Sequence, residues 1–272
     1  MQMPAAILLD MDGVLFHGAT RLPGARRFLQ AIASVPHCFV TNNPIRSEER
    51  VAAHFAAIGL PAPQPSRVIT SARATAAWLA SECPGFRYFA VGATGLHEAL
   101  AELGTEDPDN AEFVVIGEGP GLDFDTLTRG LNLIVQRGAR LICTNPDQSV
   151  DDAGDDGVHR VLPGGGALVA PFAVASGVEP EYVGKPYPRL FEMACTRLAV
   201  DAQACVMVGD RPDTDIAGAQ ALGMQTALVR SGRFAPGRRL PDGVRPDWDV
   251  ADLPQLLAVW DRAFPGWLAG GA

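Results

Sequence analysis

The 272-residue chain is 47% hydrophobic and 19% charged, which is typical of a globular protein and excludes an extended disordered one. Its net charge is −9 and no dense Lys/Arg run occurs, so nucleic acid and anionic membranes are not expected as partners. No apolar run approaches the ~20 residues that span a bilayer. The first residues also lack the basic start of a signal peptide, so we expect a cytoplasmic protein.

Five cysteines are scattered along the chain, and neither their odd number nor their spacing matches a zinc knuckle or a redox pair. Most are flanked by apolar residues, so we expect reduced thiols in the core. They are Cys38, Cys83, Cys143, Cys195 and Cys205.

Short apolar runs alternate with longer helical stretches, the pattern of an α/β protein with a mainly parallel sheet. In chain order, strands are predicted at "AAILLD", "HCFVTN", "FRYFAVG", "EFVVIGEG", "ARLICTN", "EYVGK", "CVMVGD" and "QTALVR". Helical periodicity predicts helices at "SEERVAAHFAAIG", "TSARATAAWLASE", "LHEALAELG", "FDTLTRGLNLIVQRG", "YPRLFEMACTRLAV" and "TDIAGAQALG". The stretch "DQSVDDAGDDG" has no periodicity and is predicted to be an acidic loop.

Two of the predicted strands end in Thr-Asn, in "HCFVTNNP" and "RLICTNPD". A phosphate site needs hydrogen-bond donors and positive potential around it. The first Thr-Asn has no acid until Glu48, whereas the second is followed by Asp147, Asp151, Asp152, Asp155 and Asp156. If one of the two binds an anion, we expect it to be the first.

Polar residues follow four predicted strands, at the sheet edge where ligands of open α/β sheets gather. They are Asp10 and Asp12, then Thr41, Asn42 and Asn43, then Lys185, then Asp210. Each has an ordinary structural alternative, because "DMDG" can be a turn, Thr-Asn can cap a helix, and most lysines lie in loops. Asp213 or Thr214 can likewise cap the next helix, and we favour that interpretation for Asp213.

Taken together, these residues indicate a functional site, because three carboxylates and a lysine would meet at one edge of the sheet. All-oxygen ligation by Asp10, Asp210 and Asp215 suits Mg²⁺, which takes one or two carboxylates, waters and a substrate phosphate. Zinc would call for histidine or cysteine. The one histidine close behind these strand ends is His17, which we interpret as a local, non-ligating residue.

The segments "DMDGVLFHG", "VTNN", "VGKP" and "VGDRPDTDIAGA" resemble, in this order, the four motifs of the haloacid dehalogenase superfamily of phosphatases and phosphotransferases. "GARLICTNPD", "PGGGALVA" and the following Gly-Lys-Pro are closest to the large-cap branch of NagD-like nucleotide phosphatases and p-nitrophenyl, pyridoxal phosphate and phosphoglycolate phosphatases. The resemblance implies a Rossmann-like three-layer α/β core with a parallel sheet at 1–82 and 179–272. It also implies an inserted α/β cap domain at 83–178, through which a homodimer is usual in this branch.

The resemblance also implies roles for the motif residues. Asp10 would attack phosphorus and form an aspartyl-phosphate, and would bind Mg²⁺ together with Asp210 and the backbone carbonyl of Asp12. The side chain of Asp12 would serve as the general acid and then the general base. Asp215 would act through water or by orienting Lys185, and Lys185 would neutralise the nucleophile and the phosphate.

Thr41, Asn42 and Asn43 would hold the phosphoryl oxygens, and Asn145 and Asp147 would contribute cap specificity. A merely solvated acidic loop at 147–156 stays an alternative. The expected function is a Mg²⁺-dependent phosphatase of a small phosphorylated metabolite. A phosphotransferase and a non-catalytic binding protein remain open, as do nucleotide, sugar, glycerol, phosphoglycolate and pyridoxal phosphate substrates.

Overall fold

The computed structural model describes residues 2–152 and 160–268, and it divides into two compact units. The first unit comprises Met1–Thr41, Arg50–Ile69 and Lys185–Ala272, and the second comprises Asn42–Glu49 and Thr70–Gly184. This division differs from the boundaries predicted at 83 and 178, because the segments next to both boundaries pack with the second unit.

The strands of the described residues are β1 Ala6–Leu9, β2 Phe16–His17, β3 Thr20–Arg21, β4 His37–Thr41, β5 Val68–Thr70, β6 Arg87–Val91, β7 Thr105–Glu106, β8 Phe113–Ile116, β9 Arg140–Cys143, β10 Ser149–Asp152, β11 Arg160–Pro163, β12 Glu181–Tyr182, β13 Cys205–Gly209, β14 Gln225–Val229 and β15 Trp248–Val250. The α-helices are α1 Ala25–Ala31, α2 Glu48–Ala57, α3 Ser71–Glu82, α4 Thr94–Ala101, α5 Phe124–Arg137, α6 Gly165–Ser176, α7 Arg189–Leu198, α8 Ala217–Ala221 and α9 Leu253–Ala263. Short 3-10 turns cover Pro65–Arg67 and Ala202–Ala204, and a wide π-type turn covers Pro212–Ile216.

A six-stranded sheet in the order β15-β14-β13-β1-β4-β5 forms the centre of the first unit. β1 pairs in parallel with β13 on one side and β4 on the other, and β14 continues the parallel pairing. Side chains alternate between the faces of a strand. Ile7 and Leu9 therefore join the apolar cluster of Phe28, Phe55 and Trp260, whereas the opposite face of β1 is covered by α7. Burial on both faces explains why these strands read as continuous apolar runs.

A second parallel sheet, in the order β12-β9-β8-β6-β7, forms the second unit. One of its faces packs against α5 and α6, whose Leu133, Val169 and Phe172 are buried with Val114 of β8. The predicted α/β class with parallel sheets is thus confirmed in both units.

Three local predictions are corrected by the structure. The predicted strand "EYVGK" is β12, and it pairs with β9 in the second sheet instead of joining the core sheet. The predicted acidic loop contains β10, which pairs antiparallel with β11. The segment is held by cross-strand backbone hydrogen bonds, although it has no apolar periodicity. Of its acids, Asp155, Asp156 and the side chain of Asp152 lie outside the described residues.

The third correction concerns Asp213, which does not cap a helix. Pro212 begins the wide turn earlier, since its fixed φ suits a first helical position. Asp213 then lies inside that turn, where its carboxylate accepts from Arg211 Nη2 at 2.8 Å. The following α8 has no side-chain cap.

All five cysteines are free thiols, of which Cys38, Cys143 and Cys205 are buried and the other two are partly exposed. Among the described residues, no helix is both long and apolar enough to cross a membrane.

Candidate active site

The loop that follows β1 places Asp10 at the carboxyl end of the first sheet. Its backbone N–H still pairs with Val208 O of β13 at 2.9 Å, and its side chain is nearly buried. The chain then turns at Gly13, which has φ +79°. A Cβ at this position would overlap the Asp210 carboxylate, so the turn requires glycine for both its φ and its lack of a side chain.

Lys185 provides the positive charge of the site. Its Nζ donates to Asp10 Oδ1 at 2.7 Å and to Val40 O at 3.1 Å, and it pairs with Asp215 Oδ1 at 2.8 Å. Burial alone would lower the pKa of this lysine, but the charges of Asp10 and Asp215 hold the pKa above its ordinary value. Lys185 therefore stays charged between two carboxylates.

The other two carboxylates come from the end of β13 and the wide turn after it. Asp210 directly follows β13, and its Oδ2 accepts from the backbone N–H of Arg233 at 2.8 Å. Asp215 lies in the turn Pro212–Ile216, and its Oδ2 accepts from the N–H of Arg211 at 3.0 Å. Both side chains are almost fully buried.

One ligand oxygen each of Asp10, Asp210 and Asp215 lies within 4.8 Å of the others. Burial raises the pKa of Asp10 to about 7 against the opposing effect of Lys185. Burial, together with the charges of Asp215 and Asp10, raises the pKa of Asp210 well above its ordinary value. Three ionised carboxylates against one lysine would leave excess negative charge in a buried site, and such charge is costly without a further cation.

The donor set fits a divalent magnesium ion. It offers hard carboxylate oxygens without a histidine or cysteine, and its excess charge is what such an ion neutralises. His17 is exposed, and its Nε2 donates to Ser231 O at 3.1 Å, which agrees with the expected non-ligating role. Asp12, by contrast, has an exposed side chain two residues beyond Asp10.

The predicted phosphate-binding and cap residues are divided between the units. Thr41 is the buried last residue of β4 in the first unit, whereas Asn42 and Asn43 belong to the second. There, Asn42 Nδ2 donates to Asp147 Oδ2 at 3.0 Å. Asn43 Oδ1 accepts from the N–H of Ile45 at 2.8 Å, as in a turn. Asn145 is fully buried beside Asp147.

Comparison with known proteins points to one hydrolase family. A family profile described as haloacid dehalogenase-like hydrolase matches residues 7–106, and a second profile of this hydrolase type matches residues 182–256. The dihydroxyacetone phosphatase of Corynebacterium glutamicum (strain R) is 39% identical over 269 residues, which are 97% of this chain and 94% of that protein. The chain belongs to the haloacid dehalogenase-like hydrolases.

Further relatives of this haloacid dehalogenase-like hydrolase are phosphatases. The acid sugar phosphatase of Staphylococcus aureus is 32% identical over 266 residues, covering 96% of this chain and all of that protein (100%). The solved NagD of E. coli K-12 has a TM-score of 0.81 at 31% identity and covers 93% of this chain and 98% of its own. The p-nitrophenyl phosphatase of Archaeoglobus fulgidus has a TM-score of 0.85 at 28% identity and covers 95% and 100%.

These likenesses confirm the predicted branch, and they show that this hydrolase is a phosphatase acting on phosphate monoesters.

Sequence reasoning missed two contributions to the sites of this hydrolase. The first is the loop after β14, where Ser231 Oγ donates to Gly13 O at 2.8 Å and Arg233 holds Asp210 through its backbone. The Ser-Gly pair that ends "TALVRSG" was its only signal, since such pairs mark turns at strand ends. The second is Glu118, a buried acid directly beyond β8, for which the sequence offered no motif.

Proposed function

We propose that this phosphatase hydrolyses small phosphorylated metabolites with the help of Mg²⁺ and through an aspartyl-phosphate formed on Asp10. The observation that carries the proposal is the buried cluster of Asp10, Asp210 and Asp215 around Lys185. A structural role alone would favour apolar residues here, because buried like charges destabilise a fold that does not use them.

Asp10 and Asp210, with the backbone carbonyl of Asp12, would hold the magnesium ion. When bound, the ion supplies positive charge that lets the anionic nucleophile approach an anionic phosphate. Lys185 adds a fixed positive charge on the same carboxylate, and Asp215 keeps the lysine in place. These residues therefore meet the main demand of phosphoryl transfer, which is charge neutralisation and positioning.

The chemistry needs two steps. In the first, a carboxylate oxygen of Asp10 forms a bond to phosphorus while the ester P–O bond breaks, and Asp12 gives its proton to the leaving oxygen. In the second, Asp12 takes a proton from water and the water oxygen attacks phosphorus. The P–O bond to Asp10 then breaks, which releases inorganic phosphate and the free carboxylate. The exposed position of Asp12 suits a side chain that must exchange protons with both the leaving group and water. Thr41, Asn42 and Asn43 would bind the phosphoryl oxygens.

Phosphorylated sugars and trioses are the substrate class we favour. Two relatives that match nearly the whole chain are named dihydroxyacetone phosphatase and acid sugar phosphatase. The net charge of −9 also agrees with a substrate bound by local contacts and not by a broad basic surface.

Phosphate release from a panel of monoesters, with and without Mg²⁺, tests the proposal. We expect turnover of dihydroxyacetone phosphate and small sugar phosphates that needs Mg²⁺ and is lost in Asp10→Asn. Release from every ester without added metal, or full activity of Asp10→Asn, would contradict it.

We also propose that two copies associate through the second unit, as in the proteins that this chain resembles. Phe124 of α5 and Val174 of α6 are 82% and 84% exposed there, which is unusual for large apolar side chains. Sedimentation of the wild type and of the double variant Phe124→Ser/Val174→Ser checks this association. A monomeric wild type would rule the association out.

A further inference from the structure

A buried hydrogen-bond network in the second unit connects the ends of β8 and β9 to Asn42. Its members Glu118, Asn145 and Asp147 are all nearly inaccessible to solvent. Glu118 lies just beyond β8, and Asn145 and Asp147 lie just beyond β9, so the two parallel strands deliver them to the same sheet edge. The proposed mechanism gives none of the three a chemical step.

Asn145 is the centre of this network. Its Nδ2 donates to Glu118 Oε1 at 2.9 Å and to the backbone carbonyl of Asn42 at 2.8 Å. Its Oδ1 accepts from the N–H of Asp147 at 3.1 Å. Both amide hydrogens of Asn145 are therefore used within the protein, which leaves neither of them to bind a substrate.

Asn42 is held by its backbone and by its side chain. Its carbonyl also accepts from Ser71 Oγ at 2.6 Å, and its Nδ2 donates to Asp147 Oδ2 at 3.0 Å. The next residues are fixed as well, because the N–H of Gly95 donates to Ile45 O at 3.1 Å. The segment that begins at Asn42 is thus bound at several points within the second unit, to α3, to α4 and to the residues beyond β9.

The returning chain meets the same network. The N–H of Gly184 donates to Thr144 O at 2.8 Å, extending the pairing of β12 with β9. A Cβ on Gly184 would come within 2.8 Å of both Asn145 Cβ and Asn42 Oδ1. The residue after Thr41 and the residue before Lys185 therefore both lie against Asn145.

We infer that Glu118, Asn145 and Asp147 are positioning residues that orient Asn42 for the phosphoryl group, and that they do not select the leaving group. The inference rests on the proposed function, because it takes Asn42 as a phosphate-binding residue. A buried hydrogen-bond network is suited to this task, since it specifies one side-chain geometry where an apolar contact would allow several.

The matched variants are Glu118→Leu, which removes one of the two acceptors of Asn145 at similar volume, and Glu118→Gln, which keeps an acceptor oxygen. Glu106→Leu, an exposed acid on β7 of the same unit, is the control. Asp147→Ala removes the partner of the Asn42 side chain and serves if Glu118→Leu does not fold. Each variant is studied in the presence of Mg²⁺.

Two readouts separate positioning from substrate selection. Orthovanadate binding is measured by calorimetry, because vanadate mimics the phosphoryl group and has no leaving group. kcat and KM are measured on p-nitrophenyl phosphate, glycerol phosphate and dihydroxyacetone phosphate. We expect Glu118→Leu and Asp147→Ala to weaken vanadate binding about tenfold, the effect of one lost buried hydrogen bond. kcat/KM should fall by a similar factor for all three substrates, whereas Glu118→Gln and Glu106→Leu should stay within about twofold of wild type.

Unchanged vanadate binding in folded Glu118→Leu and Asp147→Ala would overturn the inference. So would a change in the order of the three substrates, which would place these residues against the leaving group. The proposed function fails separately, in a wild-type protein that binds no vanadate and releases no phosphate from any ester.

Discussion

Gly13 lies against the Asp210 carboxylate with φ +79°, a backbone conformation that residues with a side chain rarely adopt. It therefore fixes both the turn after Asp10 and the space that Asp210 occupies. The sequence shows this glycine only as part of "DMDG", where it could equally have been an ordinary turn residue. The structure ties it to a carboxylate nearly 200 residues away (210 against 13).

Gly13→Ala tests this position. We expect kcat/KM to fall about hundredfold, because displacing the Asp210 carboxylate, a proposed metal ligand, would misalign the reacting groups. Gly138→Ala is the matched control, since Gly138 has φ +73° with no atom within 4 Å of an added Cβ. Both variants should lose roughly 1–3 kcal/mol of unfolding free energy to backbone strain, but only Gly13→Ala should lose activity. Equal activities, measured as kcat/KM, would contradict the predicted role.

Asp12 differs from Asp10 in its exposure, and this difference separates its chemical role from metal binding. Asp12→Asn keeps the backbone carbonyl and removes the proton carrier, so we expect kcat to fall by about 10² to 10⁴. Mg²⁺ affinity, measured by calorimetry with vanadate present, should stay near wild type. A parallel loss of Mg²⁺ affinity, as expected for Asp210→Asn, would show that the Asp12 side chain is a ligand.

At the scale of the elements, β4 carries a buried histidine at its first residue. His37 donates from Nδ1 to Val35 O at 2.7 Å, and its Nε2 accepts from Arg67 at 3.4 Å. Burial, with the Arg67 charge, lowers the pKa of His37 below its ordinary value despite the bond to Val35. The neutral ring fits both contacts, and the protonated ring would lose the bond from Arg67.

The pH dependence of stability follows from this direction. The unfolded chain protonates His37 near its ordinary pKa of about 6.5, but the folded chain protonates it only at lower pH. The contribution of His37 is therefore complete above pH 6.5 and is lost as the pH falls. Denaturant unfolding should show the stability difference between wild type and His37→Gln shrinking from pH 7.5 to pH 5.5. The exposed His17→Gln serves as control, and a constant difference for His37→Gln would contradict the prediction.

Most central strands could be predicted from the sequence, because burial on both faces leaves uninterrupted apolar runs such as "AAILLD" and "CVMVGD". The three-residue edge strands β5 and β15 were missed, since so short a run has no measurable period. α6 was not predicted either, because it begins with Gly165 and Gly166, which are weak helix formers. The sheet membership of β12 could not be predicted, because the return of the chain depends on tertiary pairing alone.

For the candidate site, the residue types and their order were enough to predict the cluster of Asp10, Asp210, Asp215 and Lys185. The hydrogen-bond partners of the side chains could not be predicted from the sequence, as Asn145 shows. The resemblance implied a cap-specificity role for Asn145, and the sequence offered no sign that both of its amide hydrogens bind protein acceptors.

On the scale of the whole molecule, the excess negative charge of the first unit predicts that metal removal weakens the fold. We expect Mg²⁺ at a hundred times its Kd to add about 2.7 kcal/mol of unfolding free energy, and EDTA to reverse this gain. Asp210→Asn should abolish most of the effect. Asp213→Asn, whose side chain is 61% exposed, should not. Thermal melts with and without Mg²⁺ provide the measurement, and an equal gain in both variants would argue against the cluster as the binding site.

The division of the chain has a consequence for the exchange of parts between relatives. The second unit is built from Asn42–Glu49 and Thr70–Gly184, so it is not one continuous insertion. A chimera joined at 83 and 178 would take β12 from one parent and its partner β9 from the other, and would separate Asn42 from its own Asn145 and Asp147. Recombination that respects the fold therefore has to move four cut points together, which limits how freely the specificity of one relative can be transplanted into another.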